Sequence, residues 1–179
     1  LVNDPTLHSE LMDDLGELQA NVGDPQGGRR TLATALKERS ALYGNDSSQA
    51  AITLRKLASV EQMMGLGDAA REHAERALAI WNHKEQSHSV EAARAKLILG
   101  IVLVNRKERE RAFDLNRSAV DDLTRALGPN HPETINASAR RVKMLIQVSR
   151  DKEAESALRD VIARIEATEG RESARLITP

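Results

Sequence analysis

Apolar residues recur along this chain at helical spacing, and no stretch alternates with the two-residue period of a strand. Ile52, Leu54, Leu57, Val60 and Met64 mark one such helix, and Ala70, Ala74, Ala77 and Leu78 mark one face of the next. Gly65-Leu66-Gly67 breaks the pattern between them. Applied along the chain, the spacing predicts helices over about 6–22, 25–43, 47–64, 68–83, 89–105, 108–127, 131–148 and 151–168, joined by short polar stretches. Capping chemistry agrees. Asp24 precedes Pro25, Asp46 and Ser47 precede the third helix, and Asn130 and His131 precede Pro132.

The joint Ala126-Leu127-Gly128-Pro129-Asn130-His131-Pro132-Glu133-Thr134 ends one helix and opens another. It belongs to a repeat with a period of 42 residues. Gly28 recurs as Ala70, Ala112 and Ala154; Ala35 as Ala77, Ala119 and Val161; Leu36 as Leu78, Val120 and Ile162. Leu15 recurs as Leu57 and Leu99 and then fails at Arg141, while Gly16 recurs as Ala58 and Gly100 and then becomes Val142. Small residues at these fixed positions let two helix axes approach closely. Each pair leaves an apolar face for the next pair to cover, so the pairs stack. The columns divide the chain into repeats at about 6–46, 47–88, 89–130 and 131–170, with 171–179 as the stub of a further one. Arg141 and Val142 predict that the first helix of the fourth repeat is rotated or shifted.

Leu57-Ala58, then Gly65, Ala70 and Ala77-Leu78, stand at the spacings of the tetratricopeptide repeat, which the chain resembles over nearly its whole length. The repeat length and the Gly128–Pro132 joint are similar to the longer variant found in kinesin light chains and many bacterial signalling proteins. The opening, Asp4-Pro5 through Leu15-Gly16 to Gly23-Asp24, is similar to repeats appended to bacterial serine/threonine kinases. The resemblance implies an all-α fold, a right-handed superhelical solenoid of about four antiparallel helix pairs forming one domain over 1–179. It further implies a protein- or peptide-binding scaffold, not an enzyme, within a larger bacterial protein. The alternative is a ligand-sensing region that controls an attached kinase or transcription domain. The chain departs from the family at its aromatic positions, which here hold Gln19, Glu61, Leu103 and Leu145.

Composition narrows the partner. The 179 residues carry a net charge of −1, which lacks the basic excess of a nucleic-acid-binding surface. The longest apolar run, 97–104, is far too short to span a bilayer. There is no cysteine, so neither a disulfide nor a thiolate metal site exists, and the compartment is left open. With only Tyr43, Trp81 and Phe113 as aromatics, the core is built from aliphatic residues and alanine.

No stretch carries a reaction. The glycines and arginines of 23–30 follow a helix and lack the lysine–serine/threonine ending of a phosphate-binding loop. His73, His83 and His88 lack the ligand count and spacing of a zinc site. Asp13-Asp14 and Asp121-Asp122 point about a hundred degrees apart on their helices. No cofactor or metal is expected. The mixed charges of 105–111 read as a solvated helix start.

What remains is a surface. The resemblance implies that the first helices of successive pairs line a concave groove. This places Asp13 and Glu17 in the first repeat, Arg55, Ser59 and Gln62 in the second, Arg94 and Asn105 in the third, and Asn136 and Lys143 in the fourth. Arg55, Arg94 and Lys143 predict a protein or peptide partner bearing acidic groups. Asp13 and Glu17 stand where co-chaperone members of the family hold a C-terminal carboxylate, and would repel one. At the last helix, Val161, Ile162 and Ile165 predict an apolar edge covered only by Ala174, Leu176 and Ile177. Self-association is therefore expected through the C-terminal end, with the polar first helix better able to face water.

Overall fold

The structure, a computed structural model, describes residues 4–105 and 108–169. Those residues form eight α-helices: α1 Pro5–Asn21, α2 Pro25–Tyr43, α3 Ser48–Met63, α4 Gly67–His83, α5 Val90–Asn105, α6 Arg109–Leu127, α7 Pro132–Gln147 and α8 Asp151–Glu169. No strand occurs among them. Local chemistry sets most starts. Asp4 accepts the amides of Thr6 and Leu7 at 2.9 and 3.3 Å, Asp24 accepts Gly27 at 2.8 Å, and Ser47 accepts Ala50 at 3.1 Å. His131 caps α7, its Nδ1 accepting the Glu133 amide at 3.2 Å. Gly128, at φ 93°, turns the chain after α6. Ser149, at φ 58°, makes after α7 the turn that Gly23 and Gly65 make after α1 and α3, without being a glycine.

Helices pair in sequence, α1 with α2 through α7 with α8, and each second helix then packs on the first helix of the next pair. In the first pair the backbones nearly touch. A Cβ built on Gly28 falls 2.4 Å from the Gly16 carbonyl oxygen, and one on Gly16 falls 2.6 Å from Leu32 Cγ. The same position is filled by Ala58 and Ala70 in the second pair and by Gly100 and Ala112 in the third; the three alanines are fully buried. The fourth pair brings Val142 against this position, and Val142 is 5% exposed.

The main core cluster spans the two middle pairs. Trp81 packs there with Leu54, Leu78, Leu99 and Leu103. Arg141, which breaks a leucine column, lies over the Phe113 ring at 5.5 Å, and Arg150 lies over the same ring at 4.7 Å. A cationic side chain thus keeps its place at the joint by stacking on the one phenylalanine of the chain.

The two ends differ from the sequence expectation. On α8, Val161 and Ile165 are 2% and 6% exposed, buried in a cluster with Val142 of α7. Ala174, Leu176 and Ile177 lie outside the described residues. At the other end, Leu11, Leu15 and Leu18 of α1 stand 58, 45 and 57% exposed. Of the polar residues assigned to water there, His8, Glu10 and Asp14 are exposed, but two turn inward. Ser9 and Asp13 are 0% and 1% exposed, because the phase of the helix directs them at its neighbours.

Candidate peptide-binding groove

The first helices of successive pairs meet directly, α1 with α3 and α3 with α5, so they form one continuous side of the stack. That side divides into two chemically different stretches.

From α1 to the start of α7, charges are matched internally. Asp13 accepts a 2.6 Å hydrogen bond from the Thr53 hydroxyl and lies 3.2 Å from Arg39 and 2.7 Å from Lys56. Lys56 also meets Asp14 at 2.9 Å and Glu17 at 3.0 Å. Burial works against the Lys56 charge, but the hydrogen bonds it donates to Asp13 and Asp14 outweigh it and raise its pKa. Arg55 Nε donates to Glu91 at 2.6 Å. Arg94 bridges Glu91 and Glu133, with one contact to Glu133 at 3.1 Å. The bond to Glu133 is the main reason that the Arg94 pKa is raised, and Arg94 in turn lowers that of Glu133.

Further along, between α5, α6 and α7, lies a cavity of about 180 Å³. Leu97, Ile101, Val104 and Met144 supply its apolar wall, and Arg140, Lys143 and Gln147 stand with them. Asn116 reaches it from α6. That side chain is 2% exposed, yet its Oδ1 accepts no hydrogen bond. Arg140 and Lys143 are exposed and pair with no carboxylate among the described residues.

The sequence-expected groove residues therefore separate. Asp13, Glu17, Arg55 and Arg94 share the N-terminal stretch but are engaged with one another's neighbours. Ser59, Gln62 and Asn136 line the middle, beside Arg94 and Arg140. Lys143 alone of the expected cations is unpaired, and the Asn105 side chain lies outside the described residues. Arg140 and Asn116 were missed. Arg140 follows Asn136 by four and precedes Lys143 by three, a spacing that puts all three on one helix face. Asn116 stands in a column otherwise filled by Leu32, Ala74 and Leu158, and that polar break was its signal.

Three of the five histidines are partners of carboxylates. His73 meets Glu61 at 2.7 Å, His88 meets Asp122 at 2.7 Å and His8 meets Glu38 at 2.8 Å. Among the described residues no cluster of three or more His, Asp or Glu could hold a metal ion, and no helix is long and apolar enough to cross a membrane.

Two family models, both described as tetratricopeptide repeat, match residues 8–83 and 93–133. Among solved structures, the chain is similar to the nearly identical TPR-like repeats of a candidate kinesin light chain from Podosopora anserina. The TM-score is 0.81 at 16% identity, over 97% of this chain and 84% of that one. It is also similar to BtubC (BKLC) from P. vanneervenii, with a TM-score of 0.82 at 20% identity, over 95% of this chain and 68% of that one. No curated protein matches the chain.

Proposed function

The chain belongs to the tetratricopeptide repeat family, and from that premise we propose that it is a protein- or peptide-binding module whose recognition centre is the cavity between α5, α6 and α7. One observation carries this reading: two unpaired cations, Arg140 and Lys143, flank an apolar cavity that contains a buried, unpartnered acceptor, Asn116 Oδ1. A buried polar atom without a partner costs about 1–3 kcal/mol, which a ligand N–H would recover. The apolar wall takes one aliphatic or aromatic side chain, and the rim takes an adjacent carboxylate. Such a ligand is an extended segment laid along the inner face.

Acidic groups of the ligand are read by Arg140 and Lys143 rather than by Arg55 and Arg94. The latter two already face Glu91 and Glu133. A second carboxylate would have to displace those partners at its own desolvation cost.

Selection of a random displayed peptide library on the immobilised protein tests the reading. Enriched peptides should place an Asp or Glu within a few residues of a large apolar side chain. The variant carrying Arg140→Glu and Lys143→Glu should not enrich them. Peptides without an acidic bias, or enriched equally on the variant, would contradict it.

A further inference from the structure

Among the described residues, four buried side-chain atoms make no hydrogen bond: Arg39 Nε, Asn116 Oδ1, Thr134 Oγ1 and Arg141 Nε. Arg39 is otherwise held, since its Nη1 meets Gln49, Thr53 and Asp13. The other three lie on α6 and α7, which pack on each other.

The repeat shows what is unusual there. Thr134, Ala137, Arg141 and Leu145 follow at three and four residues and form one stripe of α7. Ala137 packs with Ala119 and Leu123, Arg141 lies over Phe113, and Leu145 packs with Phe113, so the stripe faces α6. The same stripe of α5 is Ala92, Ala95, Leu99 and Leu103. All four are buried in the main core cluster with Ala74, Leu78 and Trp81 of α4. The stripe of α3 is Ala50, Thr53, Leu57 and Glu61. Its polar members are paired, Thr53 with Arg39 and Asp13, and Glu61 with Arg29 and His73. One joint is thus apolar, one is polar and paired, and that of α6 with α7 is polar with unpaired atoms on both helices.

A buried polar group without a partner weakens the contact that holds it, because water satisfies it whenever the contact opens. The cores on either side are continuous. Ala20, Leu32 and Leu57 tie α1 and α2 to α3, and the main cluster runs on from α3 to α6. Val142, Val161 and Ile165 hold α7 to α8. On the inner face α3 meets α5 directly, whereas a cavity lies between α5 and α7. Arg94 and Glu133 span that gap near the N-terminal ends of the two helices. Both are partly exposed, and an ion pair of that kind gives way readily.

We propose that α7 and α8 swing as one body on α1–α6 about this joint, and that a ligand in the cavity between α5 and α7 fixes the angle. The inference rests on the reading of that cavity as the recognition centre. Binding is thereby converted into a change in the curvature of the solenoid. The joint lies inside the stack, with α5 before it and α8 after it, and does not depend on what adjoins either end of the sequence.

Electron-spin distance measurement between labelled cysteines provides the test, since the chain has no cysteine of its own. Labels at Ala79→Cys on α4 and Ala163→Cys on α8 span the joint, and labels at Ala33→Cys on α2 and Arg117→Cys on α6 do not. All four positions are exposed. Both label pairs stand two periods apart and include one outer helix pair, so fraying of an end broadens both alike. Without ligand, the α4–α8 distance distribution should be the broader. Thr134→Ala with Arg141→Leu copies α5 and leaves the cavity wall untouched, and it should narrow that distribution to the width of the α2–α6 one. A library-selected peptide that the Arg140→Glu, Lys143→Glu protein fails to bind should narrow it as well and leave the α2–α6 distribution unchanged. Equal widths for the two ligand-free pairs, or a double variant as broad as the wild type, overturn the proposal. Should the double variant fail to fold, the ligand-free comparison decides by itself. A peptide that needs Arg140 and Lys143 but leaves the α4–α8 distribution unchanged also overturns it, while recognition at the cavity stands. Peptides indifferent to those two cations contradict the recognition reading alone, with the swing still decided by the ligand-free widths.

Discussion

His73 Nδ1 lies 2.7 Å from one carboxylate oxygen of Glu61, whose side chain is fully buried, and Arg29 Nε reaches the other oxygen at 2.9 Å. The pair joins the first helix of the second repeat to the second helix of the same repeat. The corresponding pair in the first repeat is Gln19 and Thr31, whose hydroxyl donates to the amide oxygen at 2.7 Å. In the third repeat it is Leu103 and Leu115, in one apolar cluster, and in the fourth Leu145 and Ala157. One position is therefore polar on both helices in the first half of the chain and apolar on both in the second.

The pair can be exchanged as a unit. His73→Leu alone leaves the buried Glu61 with one donor fewer and should cost about 1–3 kcal/mol. His73→Leu with Glu61→Leu copies the third repeat, and Arg29 is exposed enough to lose its partner at little cost. The double variant should return to the wild-type urea midpoint or exceed it. Additive losses in the double variant would show that the site cannot accept an apolar pair.

Acid should act through the same carboxylate. Burial raises the Glu61 pKa, but the bonds from His73 and Arg29 outweigh it and leave the group below its ordinary 4.5. Arg94 holds Glu133 below 4.5 as well. A depressed carboxylate contributes stability that is complete above the unfolded value and lost as pH falls through the folded one. The denaturation midpoint should fall as pH drops below about 4.5, and the Glu61→Leu, His73→Leu protein should show a shallower fall. Lys56 has the opposite sign. Its raised pKa contributes stability below 10.5 that is lost as pH rises through the folded value. Identical acid profiles for the wild type and the double variant would remove Glu61 from this account.

Close packing predicts a graded response. Ala77 and Ala119 are fully buried, and changing either to leucine should cost about 1–3 kcal/mol by overpacking. Gly28→Ala adds a single methyl but drives it to 2.4 Å from a backbone oxygen that cannot rotate away. It should lower the thermal midpoint despite the better helix propensity of alanine. An unchanged midpoint in Gly28→Ala would mean that α1 and α2 separate easily.

The helices and their ends were legible because their determinants are local. Asp24 before Pro25, Ser47 before α3 and His131 before Pro132 act on amides within three residues. The repeat was legible because Gly16, Ala58 and Gly100 must be small for one reason. The groove was only half legible. Periodicity puts Arg55, Arg94 and Lys143 on one side, but it does not say that Glu91 and Glu133 arrive from neighbouring helices to neutralise two of them. The exposure of the first helix was misjudged for a similar reason. Counting polar residues on α1 favoured water there, whereas Asp13 and Ser9 point inward and the leucines point out. Helix phase at a terminus depends on what covers it, and composition does not report that.

Charge reversal separates recognition from stability. Arg94→Glu would set a third acid beside Glu91 and Glu133 and should lower the denaturation midpoint. Arg140→Glu with Lys143→Glu changes only exposed, unpaired groups and should leave stability within about 0.5 kcal/mol. A large loss of stability in the latter variant would show that these cations hold the fold.

The most direct test is the dissociation constant of a library-selected peptide, measured against salt for the wild type and for the Arg140→Glu, Lys143→Glu protein. Binding to the wild type should weaken as salt rises. The variant should bind about tenfold more weakly at low salt, a loss of about 1.4 kcal/mol, and should show little salt dependence. Equal affinity and equal salt dependence in the two proteins would contradict recognition at the α5–α7 end of the groove.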